Sequence, residues 1–250
     1  MHALGFSDDR FSLQMNFFYD FASRKKVALA ENEVHLYRIF FSKQKQHLHD
    51  CLQLLSDTEK NDAAHFRFQT DRERFIIAHG MLRKVLSQYL DVSPAGLKFS
   101  HGVYGKPVLE GMPDGCSLCF NMSHSHDLAL FALVWNSRIG VDVEYIRLIP
   151  DAEVIAKRFF TPQENSAFSA VSPDKKLEAF YNCWTRKEAF LKATGDGLSR
   201  RLDSFTVSLV PEEPVRLLSV EGDPLEASRW LFSAVEPAHQ YVGAVVVEWG

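Results

Sequence analysis

Three carboxylates and a lysine are the residues in this sequence best suited to chemistry. Asp142 and Glu144 lie in RIGVDVE, residues 138–144, where Ile139, Val141 and Val143 alternate with Gly140, Asp142 and Glu144. That period of two predicts a half-buried strand, and residues two apart on a strand share a face, so both carboxylates project together. Glu188 and Lys192 lie in FYNCWTRKEAFLK, residues 180–192, whose period is helical. Leu177, Phe180, Tyr181, Trp184 and Leu191 make an apolar stripe there, and Glu188 continues it. A carboxylate on a face that packs inward loses hydration unless a cation or donor compensates it. Such oxygens suit Mg²⁺, which takes few ligands from protein and completes its shell with water and substrate phosphate. The residue types therefore point to metal-assisted phosphoryl transfer. Two plainer readings stand beside this one: a solvated Asp-x-Glu face, and a Glu188–Lys192 surface pair worth roughly 0.2–0.5 kcal/mol.

A phosphate-bearing ligand would need cations and donors around those carboxylates. Lys106 sits in the turn YGKP, and Ser123 and His124 sit in NMSHS, just past an expected strand over 118–122. Lys192 is one helical turn from Glu188. Arg67, Arg72 and Arg74 cluster at the start of the first long helix, where the helix end itself favours anions, although a solvated helix start has the same composition. His124 and His126 would share a face if their strand continued, but a zinc reading lacks a properly spaced third ligand. Cys116 and Cys119 form a C-x-x-C without a second pair, so they read as buried free thiols, as do Cys51 and Cys183.

The elements that must position these residues follow from period and punctuation. A strand is expected over 33–41 and a short helix behind the capping-box pair Ser56 and Glu59. Thr70 and Glu73 repeat that spacing before a long helix to about residue 90, striped by Phe75, Ala78, Leu82, Val85, Leu86 and Tyr89. Strands follow over 97–100, 118–122 and 128–135, with Asn136-Ser137 as a hairpin turn into the Asp142 strand. Beyond it come a helix over 151–160, a second cap at Thr161-Pro162 with Glu164, and a long helix over 174–194 ended by Gly195. Strands over 205–210, 216–220, 230–235 and 241–248 finish the chain. Strand, long helix, strands thus occurs twice, giving two α+β halves that meet near Asn136. A likeness between FIIAHGMLRKVL and FYNCWTRKEAFL agrees with that duplication.

The 250 residues carry 46% hydrophobic and 24% charged side chains with a net charge of −4, so no global basic field favours nucleic acid. No apolar run approaches the roughly 20 residues that span a bilayer. Residues 11–30 end in Ala-Leu-Ala, but Asp20, Arg24, Lys25 and Lys26 interrupt any signal-like core. The expectation is a cytoplasmic protein with an N-terminal extension over 1–32 and halves over 33–136 and 137–250.

Taken together, YGKP, FNMSHS, IGVDVE and WTRKEAFLKATGDGL, in this order and spacing, resemble the 4′-phosphopantetheinyl transferases of the larger, two-half, single-chain type. The resemblance runs from about Val34 to the C-terminus. It implies two similar subdomains, each a small, mainly antiparallel sheet packed with a long helix, related by a pseudo-twofold. It implies transfer of 4′-phosphopantetheine from coenzyme A to a serine of an apo acyl or peptidyl carrier protein, releasing adenosine 3′,5′-bisphosphate. By motif, Asp142, Glu144 and Glu188 would bind Mg²⁺. Lys106, Ser123, His124 and Lys192 would contact coenzyme A, His124 near its 3′-phosphate and Lys192 near its pyrophosphate. Glu188, Lys192 and Asp142 would carry the catalysis, Glu188 as base. One departure concerns the first helix, where related members carry two lysines and this sequence carries Glu59 and Asp62, with Phe75 where some have threonine. Lys60, Arg67 or Arg74 would then substitute. A monomer acting without nucleic acid or membrane is expected. A metal-dependent phosphodiesterase on a nucleotide cofactor and a non-catalytic carrier-binding module are the alternatives.

Overall fold

The computed structural model describes residues 11–17, 26–102, 104–113 and 115–249. The first half runs through β1 (Ser12–Phe17), β2 (Glu33–Phe40), short helices α1 (Phe41–Gln44), α2 (Leu48–Leu54) and α3 (Asp57–Ala64), and the long α4 (Gln69–Ser87). It ends with β3 (Phe99–His101), β4 (Pro107–Leu109), β5 (Leu118–Ser125) and β6 (Leu128–Trp135). The second half runs through β7 (Ile139–Tyr145), α5 (Ala152–Phe159), α6 (Pro162–Ala170) and the long α7 (Lys176–Thr194). It ends with β8 (Phe205–Val207), β9 (Leu217–Val220), β10 (Trp230–Val235) and β11 (Tyr241–Glu248). This is the expected α+β class.

Among the described residues the two larger sheets have the orders β1-β2-β6-β5, antiparallel except for the parallel pair β1–β2, and β10-β11-β7, antiparallel throughout, while β3-β4 and β8-β9 pair separately. The two larger sheets stack. Leu128, Leu130, Ala132 and Val134 of β6 meet Val141, Val143, Val245 and Val247 in a central aliphatic core. The opposite faces carry the helices: Phe131 and Leu133 pack with Met81 and Val85 of α4, and Ala244 and Val246 pack with Phe190 of α7. Strands β6 and β11 are therefore buried on both faces, which is why they read as continuous apolar runs. At β7 the helix comes closer still. A Cβ on Gly140 would lie 2.0 Å from the Ala189 carbonyl oxygen and 2.4 Å from the Ala193 nitrogen, so glycine is what admits α7.

Both expected capping boxes at Ser56 and Thr161 form, with Glu59 and Glu164 closing them. The box expected at Thr70 does not. The N-cap of α4 is Phe68, which provides no side-chain cap, and Glu73 accepts instead from Gln69 Nε2 at 2.7 Å. Residues 12–17, expected within an extension, form β1 beside β2, while residues 1–10 and 18–25 of that extension lie outside the described residues. Asn136, at φ 56°, and Ser137 do not close a hairpin; they carry the chain from β6 in one sheet to β7 in the other.

Candidate functional site

The two sheets meet along β5 and β7, and this seam is made by side chains. Strand β5 continues to Ser125 rather than stopping at residue 122, so Asn121, Ser123 and Ser125 share one face. Asn121 Oδ1 accepts from the Val141 amide at 2.8 Å, Ser123 Oγ donates to Asp142 Oδ1 at 2.9 Å, and Ser125 Oγ donates to Glu144 Oε2 at 2.7 Å. The period of two in NMSHS carried this signal. Reading Ser123 and His124 as loop residues hid it, and Asn121 and Ser125 were missed.

Asp142 is the centre of the site. It is 5% exposed, and Lys192 Nζ reaches from α7 to its Oδ1 at 2.7 Å and to Ser123 Oγ at 2.9 Å. The other oxygen, Oδ2, is buried and has no hydrogen-bond partner. Leaving such a group unsatisfied costs about 1–3 kcal/mol, more when it is charged, so a cation there would relieve a real penalty. Glu144 and Glu188 respond to the same shortage of positive charge. Burial raises the pKa of each, and the charge of Asp142 raises both further. Among the described residues, no three His, Cys, Asp or Glu side chains close into a self-sufficient metal cage. Mg²⁺ does not need one, because one or two carboxylates plus substrate phosphates complete its shell. The donor set therefore fits Mg²⁺ in character.

Glu188 sits at the rim, half-buried, and the charged groups buried deepest on α7 are its neighbours Arg186 and Lys187, at 3% and 1% exposure. Phe180, Tyr181 and Leu191 of the expected stripe are buried, Leu177 and Trp184 pack at its edge, and the core face extends beyond it to Ala179, Cys183 and Phe190. A cavity of about 320 Å³ lies beside Glu188 and Lys192, walled by Tyr104, Pro107, Met122 and Leu191.

Lys106 lines that cavity too, yet its ammonium turns away from it. Nζ donates to the carbonyls of Ile139 at 2.8 Å, Lys192 at 2.6 Å and Ala193 at 3.3 Å. Burial draws its pKa down to about 8. Its three donors are committed to joining the start of β7 to the end of α7, where Gly195, at φ 77°, closes the helix. The partners of this ammonium in the structure are main-chain carbonyls.

His124 lies on the opposite face of β5 from Ser123 and reaches solvent. Its ring meets Phe41 edge-on at 6.0 Å, and the Arg74 guanidinium lies 6.0 Å from the same Phe41 ring. Withdrawal from bulk water, then the cations Lys192, Arg74 and His79, push the His124 pKa down. The structure divides the arginine cluster. Arg74 joins His124, whereas Arg67 and Arg72 line a separate groove with Leu48 and Leu52. Lys60 pairs with Asp57 at 3.8 Å, as Arg74 does with Asp71, and Glu59 faces inward to Arg83 at 2.6 Å. His126, at φ 51°, leaves the strand and stacks on Tyr145 at 4.6 Å, which ends the zinc reading. All four cysteines are free.

Comparison with known proteins agrees with this architecture. The 4′-phosphopantetheinyl transferase superfamily model matches residues 138–246, and that of the 4′-phosphopantetheinyl transferase N-terminal region matches residues 41–135. The chain is 38% identical over 221 residues to the 4′-phosphopantetheinyl transferase HetI of Nostoc sp., covering 88% of this chain and 90% of that one. It is 34% identical over 158 residues to the 4′-phosphopantetheinyl transferase Sfp of Bacillus subtilis, covering 63% and 68%. Fold and relatives together make this chain a group-transfer enzyme. More narrowly, it belongs to the 4′-phosphopantetheinyl transferases.

Proposed function

We propose that the enzyme moves 4′-phosphopantetheine from coenzyme A to a serine hydroxyl of an apo carrier protein, assisted by Mg²⁺, and releases adenosine 3′,5′-bisphosphate. The observation that carries this reading is the junction of Asp142, Lys192 and Ser123, with a buried carboxylate oxygen left open. The serine oxygen forms a bond to the phosphorus nearest the pantetheine arm, and the bond from that phosphorus to the bridging oxygen breaks. Lys192, fixed by Ser123 and Asp142, presents a cation to the developing charge on the leaving pyrophosphate oxygen. Glu188 takes the serine proton, and a pKa raised by burial and by Asp142 and Glu144 makes it a stronger base than a solvated glutamate. Asp142, Glu144 and Glu188 would hold the cation, which neutralises phosphate charge when bound. Arg74 supplies a cation for the 3′-phosphate, and His124, whose pKa is pushed down, offers a neutral imidazole hydrogen bond beside it.

Residues from 33–136 and 137–250 both contribute, so one polypeptide supplies the whole site and a monomer is the working unit. The test is to incubate the protein with coenzyme A, Mg²⁺ and an apo carrier, then weigh the carrier. A gain of one phosphopantetheine supports transfer. Cleaved coenzyme A with an unmodified carrier would mean hydrolysis, and neither change would leave a binding module.

A further inference from the structure

We infer that Ser125 is a positioning residue for Glu144, fixing the angle at which that carboxylate is offered to the divalent cation. The inference rests on reading Asp142 and Glu144 as cation ligands. A serine hydroxyl has one proton and two lone pairs. At Ser125 both kinds of capacity are used: Oγ accepts from the Tyr145 amide at 3.1 Å and donates to Glu144 Oε2 at 2.7 Å. The amide occupies a lone pair, so the proton is directed to the carboxylate and the hydroxyl cannot rotate freely. Asp142 already has a cation, Lys192, to orient it. Glu144 accepts a side-chain hydrogen bond from Ser125 among the described residues, and that hydroxyl sets the orientation of this second carboxylate. Carboxylates that bind metals are themselves held by hydrogen bonds from the surrounding shell, and losing such a partner typically weakens metal affinity about 10–100-fold.

The plainer account is that Ser125 only stitches β5 to β7. Asn121 supplies the comparison, because its Oδ1 makes an equivalent bond across the same seam, to the Val141 amide at 2.8 Å, and touches no carboxylate. A purely structural seam would make the two residues interchangeable in effect. A positioning role separates them.

The experiment is Mn²⁺ binding to the full-length protein without coenzyme A, read from the spin-resonance signal of free Mn²⁺, together with melting temperature. Ser125→Ala is expected to weaken Mn²⁺ binding at least tenfold, and Ser125→Thr, which keeps the hydroxyl, to stay within about twofold of the parent. Asn121→Ala should melt earlier and keep the parent affinity for Mn²⁺. Unchanged affinity in Ser125→Ala overturns the inference, as does an equal loss in Asn121→Ala. Asp142→Asn separates the two levels. If it binds Mn²⁺ like the parent, the cation reading itself fails and takes the inference with it. If it binds weakly while Ser125→Ala does not, the inference alone is lost.

Discussion

Arg83 and Lys187 occupy equivalent places in the two halves of the chain. Each is a buried cation on a long helix, bonded to the glutamate of a capping box: Arg83 to Glu59 at 2.6 Å, Lys187 to Glu164 at 2.8 Å. Each also donates to two carbonyls of the segment that follows its helix, Pro94 and Leu97 in one case and Leu202 and Phe205 in the other. Each lies over a phenylalanine there, Phe99 at 4.9 Å and Phe205 at 4.4 Å. The repetition of so specific a device supports a duplicated unit. It also aligns Arg83 with Lys187, one residue from the register that FIIAHGMLRKVL and FYNCWTRKEAFL suggest.

Removing either cation strands a carboxylate, and the cost scales with its burial. Glu164 has 1% of its side chain exposed and Glu59 has 13%. Lys187→Met should therefore destabilise by about 3–5 kcal/mol, the range for breaking a buried pair, and Arg83→Met by less. Urea unfolding checks the order. A cost below about 1 kcal/mol for Lys187→Met would mean that Glu164 finds another partner or takes up a proton.

The first of these pairs also sets an acid limb. Burial alone would raise the Glu59 pKa, but hydrogen bonds from His79, Arg83 and the Ser56 amide outweigh it and bring it from 4.5 down to about 2. A depressed carboxylate stabilises the fold above its unfolded pKa and loses that contribution as pH falls through the folded one. The shift corresponds to roughly 3 kcal/mol, present above pH 4.5 and lost towards pH 2. Glu59→Gln should flatten the stability profile in that window, measured by urea midpoints across pH.

At Glu188 the expectation is the reverse for stability and severe for activity. Glu188→Gln removes a charge that burial, Asp142 and Glu144 all oppose, so the metal-free protein should melt no earlier than the parent. A raised carboxylate destabilises once ionised, so the advantage of the variant should grow as pH rises through the Glu188 titration. Turnover should fall by at least about 100-fold, and added Mg²⁺ should restore only part of it. Near-normal turnover at saturating substrates would remove Glu188 from the mechanism.

Lys106 offers a test between its two roles. If its ammonium serves the carbonyls of Ile139, Lys192 and Ala193, Lys106→Met should speed amide exchange at the end of α7 and lower the melting temperature. A change in affinity for coenzyme A with unaltered exchange would return Lys106 to the ligand.

The arginines separate in the same manner. Arg74→Ala should weaken coenzyme A about tenfold to a hundredfold, as expected for a charge-assisted bond to phosphate, and leave 3′-dephospho-coenzyme A nearly unaffected. Arg67→Ala, in its separate groove, should change neither. Equal losses for both ligands in Arg74→Ala would show that it does not read the 3′-phosphate.

What was legible in the sequence was local. The alternation around Asp142, the helix ended by Gly195, and the caps at Ser56 and Thr161 are written within a few residues of themselves. The cap at Thr70 failed because Gln69 competes for Glu73, a choice that spacing cannot express. Lys187 was overlooked because its partners, Glu164, Leu202 and Phe205, come together only when the chain folds back. Arg74 could not be told from Arg67 and Arg72 by composition, since Arg67 precedes α4 and Arg72 differs from Arg74 only in which helix face meets Phe41. Lys106 misled for a related reason: a turn places a lysine, but the open carbonyls at the end of α7 decide where it points.

The seam between β5 and β7 has a consequence for how such an enzyme diversifies. Two strands joined by their main chains keep a spacing of about 4.8 Å whatever their sequence. Here Asn121, Ser123 and Ser125 set the gap, so its width is a heritable quantity written in three codons. Exchanging one of them resizes the cleft by an atom or two while every ladder stays intact. A substitution at the seam is thus felt by the carboxylates and Lys192 before it is felt by either sheet.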